Sequence, residues 1–255
     1  MQFTRHAFAN RFFTLAVAAG ILMATSSLHG QAGSGKKGSG TKDSGTTQGS
    51  GTKAGSGTRH PAMLDPSKAT EKAPDSFEVK FATTKGDFIV EAKREWSPNG
   101  VDRFYNMVKI GYFQDIVIFR AIPGFMWQFG IHGDPAVNAK WAESKIKDDP
   151  AKAGISNQMG FLTFAKTGMP NSRSVQFFVN LGNNQSLDSQ KFTPFARVTK
   201  GLDVIKKINT EYGENRPEVQ SNFQAKGNSY IDSVYPNLDR IKSITLMPNA
   251  ATANE

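Results

Sequence analysis

The sequence predicts a mainly β fold of barrel type, and three observations predict it. Eight short runs between residues 77 and 247 are apolar or alternate apolar with polar, while only two segments carry a helical signature. Eight is the strand number at which a closed barrel is just filled by its own side chains. The chain has no cysteine, so no disulfide or thiolate metal centre substitutes for a core. The 180 residues from 76 to 255 are enough to build one.

Phe77, Val79 and Phe81 alternate with Glu78 and Lys80, a half-buried strand. Lys85-Gly86-Asp87 turns the chain into Phe88–Ala92, which makes a hairpin. Ser97-Pro98 starts a helix, with an N-cap hydroxyl followed by proline at the first helical position. Val101, Phe104 and Val108 then share one face, and Gly111 stops the helix. Ile116–Ala121 and Phe125–Gly130 are apolar strands around Pro123-Gly124. Gly160–Ala165, Val175–Asn180, Pro194–Thr199 and Ile241–Met247 complete the eight, and Leu202–Ile208 is the second short helix. Two long loops, His132–Met159 and Tyr212–Asp239, interrupt this order. Long ordered loops often carry function.

The first 75 residues read differently. Arg5, His6 and Arg11 precede an apolar run from Phe12 to Ala24, small residues follow, and Gly30-Gln31-Ala32 offers a cleavage site. Residues 1–32 are therefore expected to be a secretory signal, too short in its apolar part to span a bilayer comfortably. The alternative is an uncleaved membrane anchor. Residues 33–75 repeat Gly38-Ser39-Gly40-Thr41-Lys42 at Gly49-Ser50-Gly51-Thr52-Lys53, and nearly again at Gly55–Arg59. Such a stretch has too little to bury to offset its ordering entropy, so it is expected to be a disordered cationic tether. A folded domain is expected over 76–249, with a short tail from 250 to 255. The protein is expected outside the cytoplasm, periplasmic or extracellular, and membrane-tethered only if the leader stays on.

The net charge is +9. Residues 1–75 carry nine basic and four acidic side chains, and the remainder carries 22 and 18. The domain itself is thus only mildly basic, and no nucleic-acid partner is expected. His132 is the sole histidine after residue 75, so a two-histidine metal site is excluded there. No Gly-x-Ser-x-Gly elbow exists, which argues against a serine triad. Asp148-Asp149 reads as a solvated loop pair.

What remains is an arginine, Arg120, inside the otherwise apolar run Ile116–Ile122. An arginine there is costly to bury unpaired. It either escapes to water, pairs with a carboxylate, or serves as a donor at the rim of an apolar pocket.

The segment Phe119-Arg120-Ala121-Ile122-Pro123-Gly124-Phe125-Met126-Trp127-Gln128 resembles a signature of the cyclophilin-type peptidyl-prolyl isomerases. The likeness continues at Gly160–Ala165, at Pro170-Asn171-Ser172 with Ser174–Asn180, at Leu187-Asp188, at Phe192–Val198 and at Gly111–Asp115. It covers residues 77–247 in order. It implies a closed eight-stranded barrel capped by two helices, and rotation of X-Pro bonds without a metal or organic cofactor. It implies that Arg120 is catalytic and that Gln128 orients it. It implies that Phe125, Met126, Phe178 and Leu187 hold the proline ring, that Gln176 and the Ala165 backbone line the peptide groove, and that Phe192 stands at the pocket wall. Partners would be proline-containing polypeptides, met by a monomer. The chain departs from the pattern at Phe119, where a histidine is usual, at Lys166 for a groove asparagine, and at Ser186 for a tryptophan. The alternative function is a proline-peptide binding module or chaperone with little catalysis.

Overall fold

The structure, a computed structural model, describes residues 59–214 and 217–248. The expected signal sequence, the tether up to residue 58 and the expected C-terminal tail lie outside these residues. Two short 3-10 turns, η1 (Pro61–Met63) and η2 (Pro66–Lys68), lead into β1 (Ser76–Thr83). Then come β2 (Gly86–Lys93), α1 (Pro98–Lys109), β3 (Ile116–Val117), β4 (Arg120–Ile122), β5 (Met126–Phe129) and α2 (Pro135–Glu143). The rest are β6 (Phe161–Phe164), β7 (Phe177–Asn180), α3 (Ser186–Ser189), β8 (Pro194–Lys200), α4 (Leu202–Ile205), α5 (Pro217–Lys226), α6 (Asn228–Val234) and β9 (Arg240–Leu246).

The strands form one antiparallel sheet in the order β3-β9-β1-β2-β8-β6-β7-β5-β4. This corrects the closed eight-stranded barrel expected from the sequence. The run Ile116–Ala121 divides between two partners: Ile116 and Val117 pair with β9, whereas Arg120 and Ala121 pair with β5. The ninth strand comes from this division. Because β3 and β4 stand at opposite edges, chain continuity links those edges and no ladder does. The sheet still wraps strongly: the Phe81 ring on β1 meets Phe129 on β5 at 6.0 Å, although those strands are not neighbours.

Alternation decides which side chains enter the wrapped face. Phe77, Val79, Phe81, Phe88 and Val90 point inward, and the cross-strand pair Phe81 and Phe88 stacks at 4.6 Å. The second strand of the hairpin starts two residues earlier than expected, since Gly86 already pairs with Thr83 and its φ of 120° suits glycine. Helix α1 lays Val101, Phe104 and Val108 into the core, as its spacing predicts. Phe104 contacts the rings of Phe77, Phe113, Phe177 and Phe195.

Two helical caps were expected, and the described residues contain six α-helices. Helix α2 lies in the first long loop, where Asp134 caps it through Ala136 N–H and Pro135 opens it. The Asp-Pro pair, inside a stretch expected to be loop, is an N-cap followed by proline. Helices α5 and α6 fill the second long loop. They bury Phe223 and Ile231 against Val117, Phe119, Ile131 and Leu238 on the outer side of β3, and Val219 is buried as well.

The tether boundary also moves. Residues 59–75 are packed: Trp141 Nε1 donates to Ala62 O and Met63 O, and Arg59 pairs with Asp134 at 2.9 Å. Asn106 brackets Glu71 through both its N–H and its C=O, while Asp102 accepts from Ala73 N. Ala62, Met63 and Ala73 are buried. These few apolar side chains distinguish the stretch from the Gly/Ser/Thr repeats before it.

Asp149, expected in a solvated pair, is buried. Its carboxylate accepts from Ser97 Oγ, Asn99 N and Gly100 N and pairs with Arg173 at 2.9 Å. Burial pushes this carboxyl up, but the bonds from Ser97, Asn99 and Gly100 and the Arg173 charge outweigh it and hold it below the usual range. Asp149 thereby caps α1, while the Ser97 side chain makes no cap bond to the helix.

Candidate active site

The site lies on the outer face of β4, β5 and β7. In β5, Trp127 and Phe129 enter the core, so Met126 and Gln128 face outward. In β7, Phe177 and Val179 enter the core, which turns Phe178 and Asn180 outward. In β4, Ala121 is the inward residue, flanked by Arg120 and Ile122. The ladder then sets two rows. Arg120, Gln128 and Phe178 form one, and Ile122, Met126 and Asn180 form the other.

The apolar row belongs to a cluster separate from the core. Met126, Phe178 and Leu187 are buried in it, and Ile122, Phe125, Ala165 and Phe192 pack against them. Phe178 and Phe192 meet edge-on at 5.9 Å. Leu187 comes from α3, which is tied down from below. Asp188 accepts from Ser156 Oγ, Asn157 N and Asn157 Nδ2. The same Asn157 amide donates to Phe192 O at 2.7 Å, and its Oδ1 accepts from Thr163 Oγ1 at 2.8 Å. One buried asparagine thus fixes both Leu187 and Phe192. Phe125 is held through its carbonyl, which accepts from Leu181 N at 2.8 Å and Asn184 Nδ2 at 2.7 Å. Gly124 makes the preceding turn at φ 70°, and Gly182 presses on its carbonyl so closely that a Cβ would sit 2.2 Å from it.

The polar row is continuous. Arg120 Nη1 donates to Gln128 Oε1 at 3.3 Å, and Gln128 Nε2 donates to Gln176 Oε1 at 2.7 Å. Gln176 O in turn accepts from Ala165 N at 2.9 Å. Arg120 Nη2 donates to Glu214 Oε1 at 2.5 Å. Arg120 Nε is buried and has no acceptor among the described residues.

All nine residues singled out in the sequence therefore gather on this face. Phe125, Met126, Ala165, Phe178, Leu187 and Phe192 make the apolar cluster, and Arg120, Gln128 and Gln176 make the polar row beside it. Sequence reasoning missed Glu214, which sits in the segment read only as loop. It also missed the supporting asparagines 157 and 184. An isolated asparagine in a loop gives no local signal of burial.

Comparison with known proteins gives the family. The model for "Cyclophilin type peptidyl-prolyl cis-trans isomerase/CLD" matches residues 78–227. The chain belongs to that family. It is a peptidyl-prolyl cis-trans isomerase. Peptidyl-prolyl cis-trans isomerase B of Escherichia coli is 32% identical over 137 residues, covering 51% of this chain and 82% of that protein. The isomerase cypE of Dictyostelium discoideum is 34% identical over 141 residues, 54% of this chain and 87% of its own length. A crystal structure of a Cryptosporidium parvum cyclophilin-type isomerase superposes with a TM-score of 0.52 at 19% identity, covering 68% of this chain and 99% of that one. That likeness concerns the fold. A second structure of the same protein was determined in the presence of the dipeptide Ala-Pro, at a TM-score of 0.51. This cyclophilin reaches past the family match at both ends, through residues 59–77 and through the strand β9.

Proposed function

We propose that this cyclophilin rotates X-Pro bonds of exported polypeptides by aiming the Arg120 guanidinium at the twisted amide. One observation carries the reading. A guanidinium stands in register with Gln128 and Phe178, at the edge of a buried apolar cluster, with its buried Nε left without an acceptor among the described residues. Buried donors of this kind are rare unless a ligand satisfies them.

The chemistry follows from the amide. Resonance gives the C–N bond a rotational barrier of about 18–20 kcal/mol. At the top of that barrier the prolyl nitrogen is pyramidal and carries a lone pair, which the planar ground state lacks. A fixed cation facing that nitrogen or the neighbouring carbonyl stabilises the twisted form over the planar one. Arginine suits the role because it is always charged and its fork is rigid. Met126, Phe178 and Leu187 grip the ring while the preceding carbonyl turns, and their dryness strengthens the guanidinium's field. Gln128, braced by Gln176, keeps Nη1 in place. Lowering the barrier by about 7 kcal/mol gives roughly 10⁵-fold acceleration.

Exchange spectroscopy on an Ala-Pro peptide tests this. Arg120→Ala is expected to slow exchange about 10²–10³-fold with little change in peptide affinity. Near-normal exchange by a folded Arg120→Ala protein would overturn the arginine mechanism and favour a pocket that binds proline without the cation. Export rests on the basic, apolar and small-residue order of residues 1–32. Mass spectrometry of the mature protein is expected to find an N-terminus near Gly33, followed by the cationic tether. An intact Met1 would mean an anchor.

A further inference from the structure

The polar row runs from a cation at one end to an anion at the other. Lys166 directly follows Ala165, whose N–H bonds Gln176 O. Its ammonium lies 5.2 Å from the centre of the Phe192 ring and, among the described residues, bonds only Thr167 O, at 3.5 Å. From there the row passes through Gln176, Gln128 and Arg120 to Glu214. Glu214 is placed deliberately. Ala121 N–H on the outer edge of β4 donates to Gly213 O at 3.3 Å, and Gly213 adopts a φ of 55°. The neighbouring Tyr212 ring packs edge-on against Tyr235 at 5.2 Å, which ties the loop to the α5–α6 unit. The Glu214 side chain nevertheless stays 65% exposed, against 15% for Arg120. Among the described residues its carboxylate meets Arg120 and no other cation, which leaves it open to a second one.

We propose that Glu214 and Lys166 are specificity residues that read opposite charges on the two sides of the substrate proline. The proposal rests on the isomerase reading of this site. Spacing supports it: about four strand separations of roughly 4.8 Å each span the row, and an extended peptide covers that with about six residues at roughly 3.3 Å each. With the ring between Met126, Phe178 and Leu187, the two charges meet side chains about two residues before and after it. A basic side chain at the Glu214 end bonds the exposed carboxylate and loosens its hold on Arg120 Nη2. An acidic side chain at that end meets Glu214 instead, and if it displaces Glu214 it occupies the catalytic guanidinium. At the Lys166 end the preference reverses.

The test compares two peptides of identical composition, Gly-Glu-Ala-Pro-Gly-Lys and Gly-Lys-Ala-Pro-Gly-Glu, with capped ends. Exchange spectroscopy gives kcat/KM, and a fluorescence titration gives affinity. One charge order is expected to exceed the other about tenfold at low salt, roughly threefold from each end. The ratio should fall to about threefold in Glu214→Gln and in Lys166→Gln, vanish in the double variant, and shrink in 0.5 M salt. Glu214→Lys should favour acid at its own end. Equal affinity and turnover for the two orders would overturn the proposal, as would a preference that survives the double variant. Absence of exchange with both peptides would count against the isomerase reading, while the titration still decides the charge order.

Discussion

Two arginine–carboxylate pairs in this molecule have similar geometry and opposite surroundings. Arg173 and Asp149 meet at 2.9 Å with 3% and 2% of their side chains exposed. Arg120 and Glu214 meet at 2.5 Å with 15% and 65% exposed. The first pair knits the chain together. Asp149 caps α1, and Arg173 donates to Lys147 O and lies 5.4 Å from the centre of the Phe164 ring. The second pair sits beside an apolar cluster separate from the core, and its acid is reachable from solvent. Burial of both partners marks an ion pair that holds structure. A half-buried cation beside an apolar cluster, paired with an exposed acid, is the arrangement expected where a ligand is to be met.

Asp149→Ala should break this comparison most forcefully. It leaves the Arg173 charge buried without its carboxylate and uncaps α1. A loss of about 3–5 kcal/mol in unfolding free energy is expected, read from the urea midpoint. Arg120→Ala should do the reverse: turnover falls by roughly 3–4 kcal/mol in barrier terms, while the urea midpoint moves little. If Arg120→Ala proved as destabilising as Asp149→Ala, the division between the pairs would collapse. Phe178→Ala sharpens the picture within the site. It removes a wall of the pocket, so KM for an Ala-Pro peptide should rise about tenfold, roughly 1.4 kcal/mol. Arg120→Ala should leave KM nearly unchanged.

The smallest expected effect is acid sensitivity. His132 is buried, and that burial pulls its pKa below the ordinary histidine value; its Nδ1 accepts from Asp134 N at 2.9 Å. The unfolded chain protonates this ring near pH 6.5 while the folded chain keeps it neutral. Stability contributed by neutral His132 is therefore present above about pH 6.5 and declines as pH falls toward the folded value. Asp149 acts in a lower window: its depressed folded pKa means its contribution is present above about pH 4 and is lost as pH falls further. Urea midpoints between pH 7 and 5 should drop modestly, and His132→Asn should flatten that slope. A slope that persists in His132→Asn would assign it to another group.

The two pairs also differ in how far the sequence revealed them. Arg120 stood out because a charge interrupted an apolar run beside a ten-residue signature. Asp149 gave no such sign, since an Asp-Asp-Pro stretch between charged residues has the local pattern of a solvated loop. Its buried partners, Ser97 and Arg173, are 52 and 24 residues away. Glu214 was hidden for the same reason, being 94 residues from Arg120.

By itself the sequence determined most strand positions and the α1 face, because each depends on a local period or turn, while the pocket residues were legible only through their resemblance to a family signature. In the folded sheet the pleat then sends Met126 and Phe178 to one face and Trp127 and Phe177 to the other. Tertiary structure alone decided what depends on a distant partner. It divided Ile116–Ala121 between β9 and β5, because a single strand cannot bond both edges along its whole length. It ordered residues 59–75, because Trp141 and Asn106 supply donors and acceptors that the segment lacks within itself. It also brought Glu214 to Arg120, because the β4 edge needed a carbonyl for Ala121 N–H and Gly213 provided it.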